Sequence, residues 1–139
     1  MNKLYQQLQP VLSQDHMSDD QLQIIRGYLV AEKEKITQQI QSGVDQIKDG
    51  QDKQSDEADA ASQFEELSLT LSGRDILLNH LAQVNQSLLR INDDDYGFCD
   101  ACGIEISMKR LAAIPTSKAC VDCQTVVEQQ GQNYASSAV

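Results

Sequence analysis

Two C-x-x-C pairs, Cys99-Asp-Ala-Cys102 and Cys120-Val-Asp-Cys123, stand 17 residues apart near the end of the chain. No other feature limits the fold as much. A C-x-x-C turn places two sulfurs on one side of a tight loop, and two such loops facing each other complete a tetrahedron. Zn²⁺ suits four thiolates at about 2.3 Å, with no redox activity and no geometric strain. With every position filled by protein there is no place for a reactive water. The expected metal is therefore a structural zinc, substituting for the core that so short a segment lacks. A rubredoxin-type iron site and a dithiol redox pair compete for the same motif. Neither His16 nor His80 lies at ligand spacing beside the cysteines, and the strand-and-helix alternation of a thioredoxin-like pair is absent.

The rest of the chain reads as helix. Residues 1–16 form a short amphipathic segment with Leu4, Leu8 and Leu12 on one face and Pro10 near its end. "MSDDQLQ" starts the next helix: Ser18 can cap, Gln21 occupies the capping-box position, and two aspartates fall in the first turn. Leu22, Ile25, Leu29, Ile36, Ile40, Val44 and Ile47 then follow three- and four-residue steps. "KDGQDKQS" interrupts the pattern, with Ser55 as the candidate cap of a second long helix. That helix carries Phe64, Leu67, Leu71, Leu78, Leu81, Leu88 and Ile91 at near-heptad spacing. Two matched stripes and a short polar link predict an antiparallel helical hairpin, a rod roughly 45–50 Å long. A compact four-helix bundle is the alternative, but too little helix remains on either side to cover the hairpin.

The expected architecture is thus mainly α. It has an N-terminal helix over 1–16, a coiled-coil hairpin over 18–92 with its tip near 48–61, and a four-cysteine finger with a C-terminal helix over 93–139. "DDDYGF" closes the second long helix, "QTVVEQQGQNY" makes a last short one, and "ASSAV" frays. No apolar run is long enough to span a bilayer, and the first residues lack a charged-then-apolar export pattern. The expected compartment is the cytoplasm, where thiols stay reduced.

Charge narrows the choice of partner. Twenty-one acids against 11 bases leave a formal net charge of -10. Phosphate affinity rests on clustered Lys and Arg. Fingers of the GATA type have a similar cysteine spacing, yet Lys109, Arg110 and Lys118 are the only bases between these knuckles and no basic tail follows. Direct sequence-specific DNA reading is not expected. The tip segment "DEADAASQFEEL" has the opposite character, with acids and alanines and nothing large before Phe64. Taken alone, acids in a first helical turn gain about 0.3–1 kcal/mol from the macrodipole and need no partner.

The sequence "DDYGFCDACGIEISMKRLAAIPTSKACVDCQ", most specifically "RLAAIPTSKACVDC", together with Asp56, Asp59 and Ala61 in an Asp-x-x-Asp-x-Ala arrangement, resembles the DksA/TraR family of bacterial transcription factors. The resemblance is strong over about 56–124. It implies a monomeric protein that is not an enzyme and that binds RNA polymerase through its secondary channel. The hairpin tip would enter that channel and alter the stability of promoter open complexes. Asp59 is then the expected active acid, with Asp56 assisting and Ala61 allowing close approach. Arg74, Lys109 and Arg110 are candidates for polymerase contacts.

Where the family's response to guanosine tetraphosphate, the stringent-response alarmone, relies on bases, this chain carries Gln83, Ile114 and Gln124. A weak or absent response is the expectation. Two other readings share parts of this plan. A Gre-type transcript-cleavage factor has the hairpin and acids but no four-cysteine finger. A zinc-stabilised coiled-coil scaffold needs no polymerase at all.

Overall fold

The computed structural model describes residues 3–11, 17–51 and 57–137, with side chains at 3–10, 17–49 and 60–132. Helix α1 spans Lys3–Leu8 and runs into a 3₁₀ turn at Gln9–Val11. Two long helices follow, α2 over Asp19–Gln51 and α3 over Glu57–Asn92, and they pack as the expected hairpin. Helix α4 covers Met108–Ala113 and α5 covers Val121–Ser137. The chain divides into two compact units: Met1–Leu29 with Ser87–Val139, and Val30–Gln86.

The start of α2 follows its capping sequence. The Ser18 backbone N–H donates to Gln21 Oε1 at 2.8 Å, and the Gln21 N–H donates to Ser18 Oγ at 3.3 Å. Both arms of the capping box are made, so two amides that the helix cannot satisfy internally are paired. The corresponding expectation for the second long helix, a cap at Ser55, lies outside the described residues, as does Leu12.

Within the Val30–Gln86 unit, Ile36 and Val84 are the buried apolar side chains, while Ile40, Val44, Ile47, Leu67 and Leu81 are half-buried. The near-heptad stripe expected on α3 is only partly realised. Phe64 is 72 % exposed, and Leu71 and Leu78 are also exposed. Towards the end of α3 the expected Ile91 is buried, and with it Val84 and Ser87, which lie outside the expected stripe, at three- and four-residue steps. The reason is the thinness of a two-helix contact: each helix covers one narrow seam, and apolar residues beside that seam stay wet.

The other unit has a fuller core. α1 packs against α4, and Leu4 and Leu8 are fully buried together with Leu111 and Ala112. Ile25, Leu29, Tyr96, Ile106 and Met108 are buried in the same unit. The sequence pattern missed α4, a two-turn helix capped by Ser107, whose hydroxyl accepts from the Arg110 N–H at 3.3 Å. The last helix also differs from expectation. It begins at Val121, so Cys123 lies in its first turn, and it continues through Ala135 to Ser137, where fraying was expected. No proline interrupts this Gln-rich run, and Gly131 is its weakest helix former. Among the described residues no helix is long and apolar enough to cross a membrane.

Tyr96 fastens this unit from within. Its hydroxyl donates to the Pro115 carbonyl at 2.6 Å in a buried bond. Burial pushes the phenol above its ordinary range, against a smaller opposing pull from the Arg90 charge. A raised native pKa contributes stability that is complete below the unfolded value of about 10 and is lost as pH rises beyond it. Tyr96→Phe should lower stability at neutral pH by about 1–3 kcal/mol, because the Pro115 carbonyl loses its donor. It should also flatten the alkaline decline relative to the parent protein. Denaturant unfolding at several pH values up to the alkaline limit checks both effects.

Candidate functional site

The first cysteine knuckle is shaped by the way α3 ends. Asp95 and Tyr96 donate their N–H groups to the Arg90 carbonyl at 2.9 and 3.1 Å, and Asp94 takes a positive φ of 60°. The chain then turns at Gly97, whose φ of +91° disfavours any L side chain. A Cβ there would lie 3.0 Å from Met17 Cε, the end of a flexible side chain that can give way, so the conformation rather than the contact is what selects glycine. Beyond the turn the Cys99 N–H donates to the Ile104 carbonyl at 2.8 Å, and the Gly103 N–H returns to the Cys99 carbonyl at 2.9 Å. A single bridge between Phe98 and Glu105 closes the loop.

The second knuckle opens α5. The Gln124 N–H donates to the Cys120 carbonyl at 3.0 Å, and the Cys123 N–H points at Cys120 Sγ at 3.5 Å. One backbone link joins the two knuckles: the Asp100 N–H donates to the Lys118 carbonyl at 2.9 Å.

Together these loops bring all four sulfurs within 4.8 Å of one another. Cys102 Sγ and Cys120 Sγ are 3.7 Å apart, and all four cysteines are free. The edge of a tetrahedron with bonds of about 2.3 Å is about 3.8 Å. The spacing is therefore that of ligands around one ion. Cys99 and Cys120 are buried, Cys123 is half-buried and Cys102 is exposed.

The thiol electrostatics also call for a cation. Backbone N–H groups of Cys120 and Cys102 lower the Cys99 thiol to about 6. Crowding by Cys120, Cys102 and Cys99 pushes the Cys123 thiol up to about 12. Four thiolates cannot coexist at this distance unless a positive ion separates them. The donor set fits zinc, which Cys99, Cys102, Cys120 and Cys123 would hold in a closed, structural site.

The remaining expected site residues belong to α3 and its approach. Asp56 lies outside the described residues. Asp59 falls within the first turn of α3, but its side chain is outside the described set. Ala61 and Arg74 are exposed on α3. Lys109 is exposed, whereas Arg110 is committed to the finger: its Nε donates to Ser117 Oγ and to the Ala119 carbonyl, both at 3.0 Å. Arg90 is likewise held, at 14 % side-chain exposure. Sequence reading assigned Arg90 no role. Nothing local distinguishes a cation that bonds loop carbonyls from one that faces water.

Comparison with known proteins gives two adjoining matches. Residues 21–91 match the model for the DnaK suppressor protein DksA, N-terminal domain, and residues 94–129 match that for the prokaryotic dksA/traR C4-type zinc finger. The RNA polymerase-binding transcription factor DksA of Escherichia coli strain K12 is 33% identical over 122 residues, covering 88% of this chain and 81% of the relative. The protein of the same name from Haemophilus influenzae is 36% identical, covering 88% and 84%. Among solved structures, transcription factor DksA2 from Pseudomonas aeruginosa superposes with a TM-score of 0.79 at 26% identity, covering 89% of this chain and 98% of its own.

Zinc removal should unfold the finger, because the metal's binding energy is part of its folding energy. The purified protein should carry about one zinc ion per chain, and Cys99→Ser or Cys120→Ser should abolish retention. Strong chelators should lower the thermal midpoint, and acid should release the metal as protons compete for the thiolates. Atomic absorption alongside thermal melts checks this; a midpoint indifferent to chelation would contradict a structural role.

Proposed function

The chain belongs to the DksA/TraR family, and on that premise we propose that it is a non-enzymatic transcription regulator that binds bacterial RNA polymerase in the cytoplasm. The observation that carries this reading is the adjacency of the two family matches, hairpin then finger, on a chain whose four thiols gather at one point. The relatives bear the name of RNA polymerase-binding transcription factors across most of their length. In this reading the protein acts as a monomer. It reaches the polymerase through the secondary channel and changes the lifetime of promoter open complexes.

The tip would act through Asp59, assisted by Asp56, with Ala61 permitting close approach. A carboxylate brought near the polymerase's catalytic Mg²⁺ would be attracted to it, and a slim segment without bulky side chains would pass a narrow channel. Arg74 and Lys109, both exposed, are suited to contacts with acidic surface on the polymerase. Direct sequence-specific DNA binding is not part of the proposal, since a chain of net charge -10 offers little to a phosphate backbone.

Asp59→Asn is the deciding variant. It should still co-purify with core polymerase but lose its effect on promoter complexes in transcription assays. Absence of polymerase binding by the parent protein would favour the scaffold reading. Stimulated cleavage of the transcript in a stalled complex would favour the Gre-type one.

The same assay tests the nucleotide response. Gln83, Ile114 and Gln124 provide no cation for a tetraphosphate, and Ile114 is 49% exposed as an apolar surface. Guanosine tetraphosphate should add little to the regulation exerted by this protein. Strong synergy that depends on the finger would overturn that expectation.

A further inference from the structure

Each C-x-x-C knuckle is held by one arginine, and at the same place. Arg90 Nη2 donates to the carbonyl of Phe98, the residue directly before Cys99. It also donates to the Asp95 carbonyl at 3.1 Å and pairs with Asp100 Oδ1 at 3.2 Å. Arg110 Nε donates at 3.0 Å to the carbonyl of Ala119, the residue directly before Cys120, and at 3.0 Å to Ser117 Oγ. Ser117 Oγ in turn donates to that same Ala119 carbonyl at 3.1 Å. The two cysteines approached in this way are the two buried ones.

We infer that Arg90 and Arg110 are paired positioning residues of the metal centre. Each fixes the peptide plane ahead of a buried cysteine, so that in the folded finger the sulfurs are kept in register around a tetrahedral divalent ion. Holding the Phe98 carbonyl fixes the peptide whose N–H, on Cys99, donates to Ile104 at 2.8 Å. The knuckle therefore cannot rotate about that bond without losing two hydrogen bonds at once. Asp100 extends the grip across the site: its carboxylate meets Arg90, and its N–H meets the Lys118 carbonyl, one residue before Ala119.

Guanidinium is the group suited to this task. Its rigid plane fixes the direction of the nitrogen in use, Nη2 of Arg90 and, in Arg110, the single N–H of Nε shared between Ser117 Oγ and the Ala119 carbonyl, where an ammonium is a rotating point charge. There is an electrostatic part as well. A divalent ion with four thiolates carries a net charge of -2, and a fixed cation behind each knuckle offsets it, with Asp100 cancelling a share on the Arg90 side. Groups that orient metal ligands in this way typically change affinity by about 10–100-fold when removed. The inference rests on the zinc site and is independent of what the protein binds.

The test uses the full-length zinc-loaded protein and the variants Arg90→Ala, Arg90→Lys, Arg110→Ala and Arg110→Lys. Zinc transfer to a chromogenic chelator should be about 10–100-fold faster in the alanine variants. It should stay fast in the lysine variants, which keep the charge but not the planar fork. In Co²⁺-substituted protein the ligand-field bands of the four-sulfur site should shift or broaden in the same four variants. Tyr96→Phe, which weakens the same unit but leaves both carbonyls held, should keep the parent bands. If Arg90→Ala fails to fold, Arg90→Lys provides the comparison. Zinc held as tightly by the alanine variants as by the parent, full rescue by lysine, or the same spectral change in Tyr96→Phe would each overturn the assignment.

Discussion

Four thiols within 4.8 Å of one another form an arrangement that proteins without a metal cannot hold in ionised form. Each thiolate raises the cost of the next, and the Cys123 thiol, pushed up to about 12 by its neighbours, registers that conflict. A divalent cation at the centre turns mutual repulsion into shared attraction. The finger depends on that change of sign. Its apolar contribution is modest, chiefly Tyr96, Ile106, Met108 and Leu111, and helix α1 must be recruited from the other end of the chain to cover α4. A small segment with a borrowed helix and a metal can fold where either alone would leave too little surface buried.

The Val30–Gln86 unit answers to a different constraint. Two helices can cover only the seam between them, which is why Ile36 and Val84 are buried while Leu69 and Ile76 are 75% and 70% exposed. Propensity alone leaves helices marginal in water, so the order of such a unit depends on the narrow seam its two helices share. Charged and amide side chains along its faces keep it in solution. The exposed apolar residues on α3 are the cost of a thin element, and no third helix of the unit is available to cover them.

The sequence was most legible where the chemistry is local. Ser18 and Gln21 are three residues apart and make their capping box as read, and the C-x-x-C spacing was enough to place four sulfurs together. The α2 stripe was legible because Ile25, Leu29 and Ile36 repeat on one face. On α3 nearly every face carries some leucine or isoleucine, so periodicity picked out Ile91 together with the exposed Phe64, Leu71 and Leu78 and passed over Val84 and Ser87. Helix α4 was hidden because two turns give too few repeats to establish a period, and its cap, Ser107, lies among residues that read equally well as loop. The duties of Arg90 and Arg110 depend on carbonyls eight and nine residues away, brought close by turns that no pattern of side chains reports.

Those two arginines also bear on the choice of partner. The chain has 11 bases, and the finger binds Arg90 and Arg110 inward through carbonyls and Asp100. Of the bases between the knuckles, Lys109 and Lys118 are the exposed ones. Two lysines do not make the clustered cationic surface on which phosphate binding depends, and both knuckles present their own acids, Asp100 and Asp122, beside them. The finger's free surface instead offers Ile104, Ile114 and Val121, all about half exposed. A surface of that composition is matched by protein and poorly by a polyanion. The composition of this surface therefore favours a protein over a polyanion as the finger's partner.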